Sequence, residues 1–548
     1  MQDIKTAMTY RRRHAGALLQ AAQTLASAGR PASAAILRRG LEQERLLLAV
    51  AGRVRRIDSN TAPLSSQVRV AALLDEFSAN SFGSVFQGTP LLPDRWQQQF
   101  EEARPQVFFC ESAWSGADSK LRPWKGRVYA SKNFKKENRG ILLDILAHCR
   151  REGIPTIFWN KEDPTHYSDR LHDFVKTATE FDHVFTTAQE CVARYKTDYG
   201  LGSVHALPFA TNPALFNPIE QAPRLDVITF AGSWYANHTE RSEDMHRMLR
   251  LLQSSGHHLE IYDRYYGDSD PMHKWPEEYT PFLHPAVPHD QVAAVYKRGR
   301  LALNINTVTQ SRTMFARRVF ELMSSNTLVL TNHSVGIEEM FGEDVIFCDR
   351  HPGRLASLSG REVDAMRERN LDLVLSKHTY RHRWEEILST IGFRFRPAAE
   401  TVTIVWPVAT DEDARAGVTW FQQEADLSSD RLLLLATDAM KPLDVARLYE
   451  TYNRFGITVT SRYHAEDLSI QDRYAPIQTD HMMLVYNNSD VPMGWLARAR
   501  KHLQYAGTTP IAPANDVSLR YTHKQGEFSH ALLMRTDCNL EDRRLYFI

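Results

Sequence analysis

Cysteine is scarce in this sequence, and its charges show no excess of either sign. The 548 residues include five cysteines, an odd number without a Cys-x-x-Cys pair, which argues against a disulfide framework and a zinc site. The 66 Lys and Arg residues balance 66 Asp and Glu residues, so the basic footprint that a dedicated nucleic-acid binder needs is missing. We therefore expect buried cysteines in a reducing compartment, no metal site and no nucleic-acid partner.

Long apolar runs are missing as well. Residues 1–13 are polar and then basic, without the apolar stretch of a secretory signal. No run of about 18 uncharged apolar residues occurs, which is the length that a transmembrane helix needs. A content of 43% hydrophobic and 24% charged residues is ordinary for a globular protein, and the length suggests roughly three to four domains. These features predict a cytoplasmic protein.

The first part of the chain, residues 1–60, differs in composition from the rest and predicts a helical segment. Ala, Leu, Gln and Arg dominate it, and apolar residues recur at helical spacing. Residues 1–56 contain eleven Lys and Arg against three Asp and Glu, a local net charge of +8. Two interpretations stay open: a cap on the next domain, or an arm of residues 1–57 that contacts a partner protein or an anionic membrane surface. The arm would place the protein peripherally at the inner membrane face.

The rest of the chain alternates short apolar runs with helical segments, as parallel sheets with right-handed crossovers do. We predict an α/β fold with three domains, at residues 66–218, 224–396 and 400–548. The predicted strands of the first domain are 68–74, 105–110, 154–159 and 181–187. Those of the second are 226–230, 258–262, 301–306, 327–331 and 344–347, before a closing helix at 367–390. Those of the third are 402–406, 432–436, 457–460 and 482–486.

Polar residues after the predicted strands are candidates for function, because ligands bind beyond the carboxyl ends of parallel strands. Glycine and serine directly after a strand let a phosphate approach the backbone, and arginine binds a diphosphate through its planar fork. A glutamate one turn further on can accept ribose hydroxyl groups. The alternatives are a plain tight turn and a surface salt bridge between Arg317 and Glu321. The second-domain candidates are Gly232, Ser233, Asn306, Arg317, Arg318 and Glu321.

The first domain has a polar cluster directly after the strand at 154–159. Two adjacent carboxylates beside a lysine can differ in pKa and serve acid/base chemistry. The alternative is a helix start, with Asp163 as its cap and Pro164 as its first residue, which leaves the other polar side chains unexplained. A second polar and aromatic loop, residues 111–116, follows another strand on the same face. The candidates are Glu111, Trp114, Asn160, Lys161, Glu162, Asp163 and His166.

Five motifs between residues 66 and 396 resemble the spore-maturation-protein (CgeB-like) glycosyltransferases. They are Glu111–Trp114, Phe158–Pro164, Phe181–Thr187, Phe230–Ser233 and Thr313–Glu321. The resemblance implies a GT-B fold, in which two Rossmann-like domains face each other across a cleft. It implies that the second domain holds a nucleotide-sugar donor and that the first holds the acceptor.

The resemblance also implies roles for the candidate residues. Glu321 would accept the ribose hydroxyl groups, Arg317 and Arg318 would bind the diphosphate or the sugar, and Gly232 and Ser233 would line the phosphate. The further donor contacts would be Arg241, Arg264 and Asn306. The candidate catalytic bases for an inverting reaction are Glu162, Asp163 and Glu111, and the candidate acceptor-binding residues are Trp114, Asn160, Lys161 and His166. GT-B enzymes generally need no metal cofactor, because side chains and a helix N-terminus neutralise the leaving diphosphate.

Two positions depart from the patterns of known glycosyltransferases. Many retaining GT-B enzymes carry two glutamates eight positions apart, and the first position is Thr313 here, which leaves the stereochemical outcome open. Residues 400–548 resemble a GT-A domain, whose Asp-x-Asp motif binds a metal and a diphosphate. The matching stretch, Tyr486–Asp490, lacks one aspartate, so we expect a degenerate domain that serves packing, assembly or acceptor binding.

These features predict a glycosyltransferase that moves a sugar from a UDP-, GDP- or dTDP-sugar to a glycan, lipid-linked or protein acceptor in bacterial surface-glycan synthesis. One alternative is a catalytically inactive scaffold that binds sugar nucleotides or glycans. Another is a nucleotide-sugar epimerase with the same double-Rossmann shape, which would need no acceptor. The oligomeric state, including a homo-oligomer, stays open.

Overall fold

The computed structural model describes residues 62–548 apart from 398–399, 438–439, 462–476, 478, 486–490, 526–530 and 537–543. The predicted helical segment at 1–60 and the Tyr486–Asp490 stretch therefore lie outside the described residues. Residues 63–398 form one compact unit, and residues 399–548 belong to a second.

The first domain is built on a six-stranded, fully parallel sheet in the order β2-β1-β3-β4-β5-β6. Its strands are β1 (Arg69–Leu73), β2 (Gln87–Pro90), β3 (Val107–Glu111), β4 (Thr156–Asn160), β5 (His183–Thr186) and β6 (Val204–Ala206). Its helices are α1 (Glu76–Phe82), α2 (Trp96–Ala103), α3 (Gly140–Glu152), α4 (Phe174–Ala178) and α5 (Gln189–Tyr199). Strands β3 and β4 are buried along their whole length because helices cover both faces of the sheet.

The second domain repeats this design with the order β12-β11-β10-β7-β8-β9, again fully parallel. Its strands are β7 (Leu225–Ala231), β8 (His258–Asp263), β9 (Leu283–Pro285), β10 (Gly299–Asn304), β11 (Leu328–Thr331) and β12 (Ile346–Phe347). Its helices are α6 (Thr239–Ser254), α7 (Val292–Tyr296), α8 (Arg318–Ser324), α9 (Val335–Phe341), α10 (Arg354–Ser357) and α11 (Gly360–Lys377). Read along its strands, this is the order 3-2-1-4-5-6 of dinucleotide-binding folds.

The predicted single helix at 367–390 is wrong, because the chain breaks it in two. Helix α11 ends at Lys377, and α12 (Tyr380–Thr390) follows after Thr379, whose backbone is extended. At the break, the Thr211 amide donates to the His378 carbonyl and the Tyr380 amide donates to the Thr211 carbonyl. Four apolar side chains of α12 then pack into the core of the first domain: Tyr380, Trp384, Ile387 and Leu388. The last helix of this unit thus returns from the second domain to the first.

Two Rossmann-like sheets and a final helix that crosses back make up a GT-B architecture, as the sequence predicted. Each parallel sheet has a switch point, where strand order reverses and the loops diverge to leave a crevice. The switch point lies between β1 and β3 in the first sheet and between β7 and β10 in the second. These loops are where the fold places a ligand.

The second unit contains an eight-stranded mixed sheet in the order β15-β14-β13-β16-β19-β17-β20-β18. Its strands are β13 (Val402–Val408), β14 (Arg431–Ala436), β15 (Ile457–Ser461), β16 (His481–Val485), β17 (Ile511–Ala512), β18 (His523–Gln525), β19 (Ala531–Arg535) and β20 (Arg544–Phe547). Its described helices are α13 (Asp411–Glu424), α14 (Pro442–Tyr452) and α15 (Trp495–Ala506). The first four strands of the order run parallel, and β19 pairs antiparallel with β16. Over the described part of both units, every helix is too short or too polar to cross a membrane.

Candidate functional site

A cleft of about 940 Å³ opens between the two parallel sheets of the first unit. Its walls come from the loops that follow β1, β7, β8, β9 and β10, so both switch points contribute to it. The volume is in the range that suits a cofactor-sized or nucleotide-sized ligand. The charged residues that line it are Glu76, Lys120, Arg264, Asp290, Arg317, Arg318 and Glu321.

Three arginines, Arg264, Arg317 and Arg318, supply positive charge and hydrogen-bond donors to the second-domain wall. Arg318 donates from Nη1 to the buried Asn304 side-chain oxygen at 3.3 Å, while its Nε is buried and has no protein partner in the described part of the chain. The guanidinium groups of Arg264 and Arg317 both lie over the ring of Phe77, at 5.7 and 5.0 Å from its centre. Planar guanidinium groups with donors to spare suit the oxygen atoms of a diphosphate.

Arg241 lies outside the cleft lining, and its pKa is affected by the positive charges of the wall. It is buried and donates to the Ser233 carbonyl at 3.2 Å. Burial, together with the positive charges of Arg318 and Arg264, lowers the pKa of Arg241 to about 10. A like-charged neighbourhood of this kind favours binding of an anion, which would relieve the repulsion.

Glu321 lies at the base of the cleft and is buried rather than on the surface. It accepts from Arg317 Nε at 2.7 Å and from the Tyr296 hydroxyl at 3.0 Å, one bond to each carboxylate oxygen. The four-residue spacing of Arg317 and Glu321 therefore does form an ion pair, but the Glu321 side chain is only 5% exposed. Each carboxylate oxygen can accept one more hydrogen bond, so Glu321 keeps the capacity to bind ribose hydroxyl groups.

Gly232 lines the cleft, but its amide does not face a ligand. The amide donates to the Tyr262 carbonyl at 3.1 Å, so this donor is already used within the protein. A Cβ at this position would lie 2.7 Å from the Phe230 ring and 3.0 Å from the Arg318 guanidinium. Glycine is therefore needed here to let Arg318 pass, and a role for Gly232 beside a phosphate stays a prediction.

Three other second-domain candidates lie outside the cleft lining. Ser233 and Arg241 bond to each other behind the wall. Asn306 is buried, donates to Thr331 and accepts from the Ala316 amide at 3.0 Å. It thus fixes the loop that leads into α8, so the structure gives Asn306 a positioning role where the sequence suggested a direct donor contact.

Most of the first-domain wall comes from α1, and Lys120 in the loop after β3 adds to it. Glu76 and Phe77 open this helix at the β1 switch point, and Asn80 lies one turn further on. The Phe77 ring meets His289 of the second domain edge-on at 4.6 Å. The sequence signal for this wall is the acidic pair Asp75–Glu76 directly after a buried strand.

Two of the charged first-domain candidates, Glu111 and Lys161, form a buried ion cluster with Asp75. The Lys161 ammonium contacts Asp75 Oδ2 at 2.8 Å and Glu111 Oε1 at 2.9 Å. Burial alone would lower the pKa of Lys161, but the charges of Glu111 and Asp75 outweigh burial and raise it. Burial raises the pKa of Glu111, which is fully enclosed. Neither Glu111 nor Lys161 lines the cleft.

Asp163 sits in a separate buried network and caps no helix. It accepts from the side chains of Asn160 at 2.9 Å, Thr186 at 2.7 Å and Tyr195 at 3.1 Å. The residues after it form turns, so the helix start considered at Asp163 and Pro164 is wrong. Two of the sequence motifs, at 158–164 and 181–187, meet in this network, which links the carboxyl ends of β4 and β5.

Replacing Asp163 by asparagine should remove a fall in stability between about pH 4 and pH 7. Burial raises the pKa of Asp163 from 3.8 to about 7, so the folded state keeps a proton that the unfolded state loses in this range. The stabilising contribution is complete below pH 4 and is lost as the pH rises through 7. Denaturation midpoints at pH 4.5 and 7.5 measure it, with the exposed Asp144→Asn as the control. Equal pH slopes for wild type and Asp163→Asn would contradict the assignment.

The remaining first-domain candidates form a third group around an indole ring. Trp114 Nε1 donates to Glu162 Oε1 at 2.9 Å, and the same ring lies edge-on to His166 at 5.5 Å. Glu162 is partly exposed, but neither it nor the other two residues line the cleft. The structure thus divides the seven first-domain candidates among three clusters beyond β3 and β4 and brings none of them into the cleft wall.

Thr313, which stands where retaining enzymes often have a glutamate, links the two domains. Its hydroxyl donates to the Thr187 carbonyl at 2.7 Å and accepts from the Gln189 amide at 2.8 Å. Ser311 adds a bond to Glu190 at 3.0 Å across the same contact. Position 313 therefore serves the contact between the domains and is absent from the cleft lining.

Comparison with known proteins gives one match to a family. Residues 216–389, which run from the segment before β7 through most of α12, match a family model described as glycosyl transferase-like. No curated protein matches the chain. The matched segment contains the arginines and Glu321 of the cleft, so the match supports glycosyl transfer as the general activity of this domain.

The similarity to solved structures is low. An alpha-glucosyltransferase in complex with UDP is 8% identical, with a TM-score of 0.41 over 59% of this chain and 98% of that one. The trehalose-6-phosphate phosphatase N-terminal domain of Candida albicans is 10% identical, with a TM-score of 0.35 over 55% and 73%. TarM is 8% identical, with a TM-score of 0.33 over 52% and 54%.

Proposed function

We propose that the first unit is a glycosyltransferase that binds a nucleotide-sugar donor in the cleft between its two sheets. The observation that carries this proposal is the convergence of Arg264, Arg317 and Arg318 on one wall, with Glu321 at its base. The arginines would bind the diphosphate and stabilise its charge as it leaves, and Glu321 would accept the ribose hydroxyl groups. The family match over residues 216–389 supports the same activity.

The first-domain wall supports a role for Glu76 in the reaction. Among the acidic residues that line the described cleft, Glu76 comes from the first domain, whereas Asp290 and Glu321 come from the second. In an inverting reaction, Glu76 would take the proton from the acceptor hydroxyl group as it attacks the sugar. The predicted bases Glu162, Asp163 and Glu111 lie outside the cleft lining, so the geometry favours Glu76 over them.

The finer parts of the proposal follow from the sequence motifs. We propose a CgeB-like enzyme whose acceptor is a glycan, lipid-linked or protein molecule of bacterial surface-glycan synthesis. Transfer would need no metal, since the cleft offers arginine side chains for the leaving diphosphate. The first experiment should determine which nucleotide the donor carries: UDP, GDP or dTDP.

Thermal stabilisation by a panel of nucleoside diphosphates and nucleotide sugars tests the donor site. A ligand at about 100 times its dissociation constant stabilises the folded state by about 2.7 kcal/mol, which raises the melting temperature measurably. We expect one nucleotide class to do so, and we expect Arg318→Ala to weaken its binding about tenfold to a hundredfold, because a charge-assisted bond to phosphate is lost. Isothermal titration calorimetry gives the affinities.

The matched control is Arg312→Ala. Arg312 is 64% exposed, pairs with Glu339 and lies outside the cleft lining, so its removal should leave nucleotide affinity unchanged. Equal affinities of Arg318→Ala and wild type would contradict the donor site. Donor binding without any transfer to an acceptor would favour the inactive scaffold, and donor turnover without an acceptor would favour the epimerase.

A further inference from the structure

A histidine–aspartate–histidine cluster lies in the loop between β4 and α4, outside the cleft. His166 Nδ1 and His172 Nδ1 each lie 3.0 Å from the same oxygen, Asp169 Oδ2. The three ligand atoms all lie within 4.8 Å of one another. The side chains are 30%, 37% and 22% exposed, in the order His166, His172 and Asp169, so an ion from solvent can reach them.

The cluster is held in place before any ion arrives. Asp169 Oδ1 accepts from the amides of Leu171 at 2.8 Å and His172 at 3.2 Å, which turns Oδ2 toward the two imidazoles. The indole ring of Trp114 lies edge-on to both imidazoles, at 5.5 Å from His166 and 5.1 Å from His172. Rotamers fixed by packing lower the entropy cost of binding a ligand.

We propose that His166, Asp169 and His172 bind one divalent transition-metal ion, with Zn²⁺ as the best fit. Two imidazole nitrogens and one carboxylate oxygen are one of the donor sets of three-ligand zinc sites, which keep a fourth position open. Metal–ligand distances of about 2.0–2.2 Å place neighbouring ligand atoms roughly 3.3 Å apart. The two 3.0 Å contacts to Asp169 are already close to this spacing, and the two imidazole nitrogens lie within 4.8 Å of each other. Ca²⁺ and Mg²⁺ prefer oxygen ligands throughout and fit less well.

This site is independent of the proposed transfer reaction. It belongs to the first domain, and its ligands are absent from the cleft lining. It connects to the rest of the domain through Trp114, which also donates to Glu162. The ion would therefore fix the conformation of the loop after β4 and would not bind the leaving diphosphate.

Titration of the full chain with Zn²⁺, after removal of bound metal by a chelator and dialysis, tests the proposal. Competition with a chromogenic chelator measures the stoichiometry and affinity. We expect one high-affinity ion per chain in wild type, and a loss of at least a hundredfold in affinity in the His166→Gln/His172→Gln double variant. The matched control is His258→Gln, an exposed histidine of the second domain, which should bind as wild type does. Unchanged affinity in the double variant would overturn the proposal, because the ion would then bind elsewhere among the 22 histidines.

Co²⁺ provides a second readout that does not depend on the histidine variants. The ion quenches nearby tryptophan fluorescence, and Trp114 packs against both imidazoles. We expect saturable quenching in wild type at one equivalent of Co²⁺, and we expect most of it to disappear in Trp114→Phe while binding itself persists. Quenching of the same size in Trp114→Phe would overturn the location of the site.

Discussion

Replacing Glu76 by glutamine should lower the turnover number by about a hundredfold or more while leaving donor affinity unchanged. A general base contributes roughly 10²–10⁴ to the rate of its step, and glutamine keeps the size of the side chain but cannot accept the proton. Glu76 lies in the cleft wall opposite the arginines that would bind the donor diphosphate. The measurement is the release of nucleoside diphosphate from saturating donor in the presence of the acceptor, with donor affinity from calorimetry.

Glu162→Gln is the matched comparison for Glu76→Gln. Glu162 was the first base predicted from the sequence, but its carboxylate accepts from Trp114 and lies outside the cleft lining. We expect Glu162→Gln to keep turnover within about tenfold of wild type. A hundredfold loss in Glu162→Gln together with normal turnover in Glu76→Gln would reverse the assignment.

The sequence predicted most of the fold because buried parallel strands are short apolar runs. Nearly every such run became a strand at or near its predicted position, β3 and β4 among them. In the first unit, the strands that escaped prediction, β2, β6 and β9, lie at sheet edges, and β2 is a polar Gln-Gly-Thr-Pro stretch that is mostly exposed. The break between α11 and α12 also escaped prediction, because it depends on hydrogen bonds to Thr211, more than 160 residues earlier in the chain.

The candidate site was harder to predict than the fold. A polar residue after a strand can face a ligand, or it can turn back and form hydrogen bonds with other buried polar groups. The sequence alone does not determine which of the two orientations the side chain takes. Arg317 and Glu321 face the cleft, whereas Asp163 and Asn306 turn inward into complete hydrogen-bond networks. Glu76 was missed because α1 is seven residues long and carries no motif.

The buried cluster of Asp75, Glu111 and Lys161 affects the cleft through Asp75. Its carboxylate accepts from the Ser115 amide at 2.8 Å and the Gly116 amide at 2.9 Å, and its own amide donates to Glu111 at 2.7 Å. Asp75 is the residue directly before α1, so this cluster fixes the start of the helix that carries Glu76. If Glu76 is the base, Glu111, which was itself predicted as a catalytic residue, would serve as a positioning residue for Glu76.

Replacing Lys161 by methionine should destabilise the first unit by about 3–5 kcal/mol. Lys161 is only 13% exposed and is the cation between Asp75 and Glu111. Removing one partner of a buried ion pair leaves an uncompensated charge, which costs far more than loss of a surface pair. Here two enclosed carboxylates would face each other without a cation. Denaturation of the full chain, followed by tryptophan fluorescence, measures the shift of the transition.

Two further variants separate this electrostatic cost from a simple loss of packing. The exposed Lys196→Met should change stability by no more than about 0.5 kcal/mol, as surface substitutions do. Adding Glu111→Gln to Lys161→Met removes one of the two repelling carboxylates and should restore part of the lost stability. A double variant no more stable than Lys161→Met would show that volume, and not charge, decides the effect. If charge decides it, the double variant should also regain the position of α1, and with it part of the turnover that depends on Glu76.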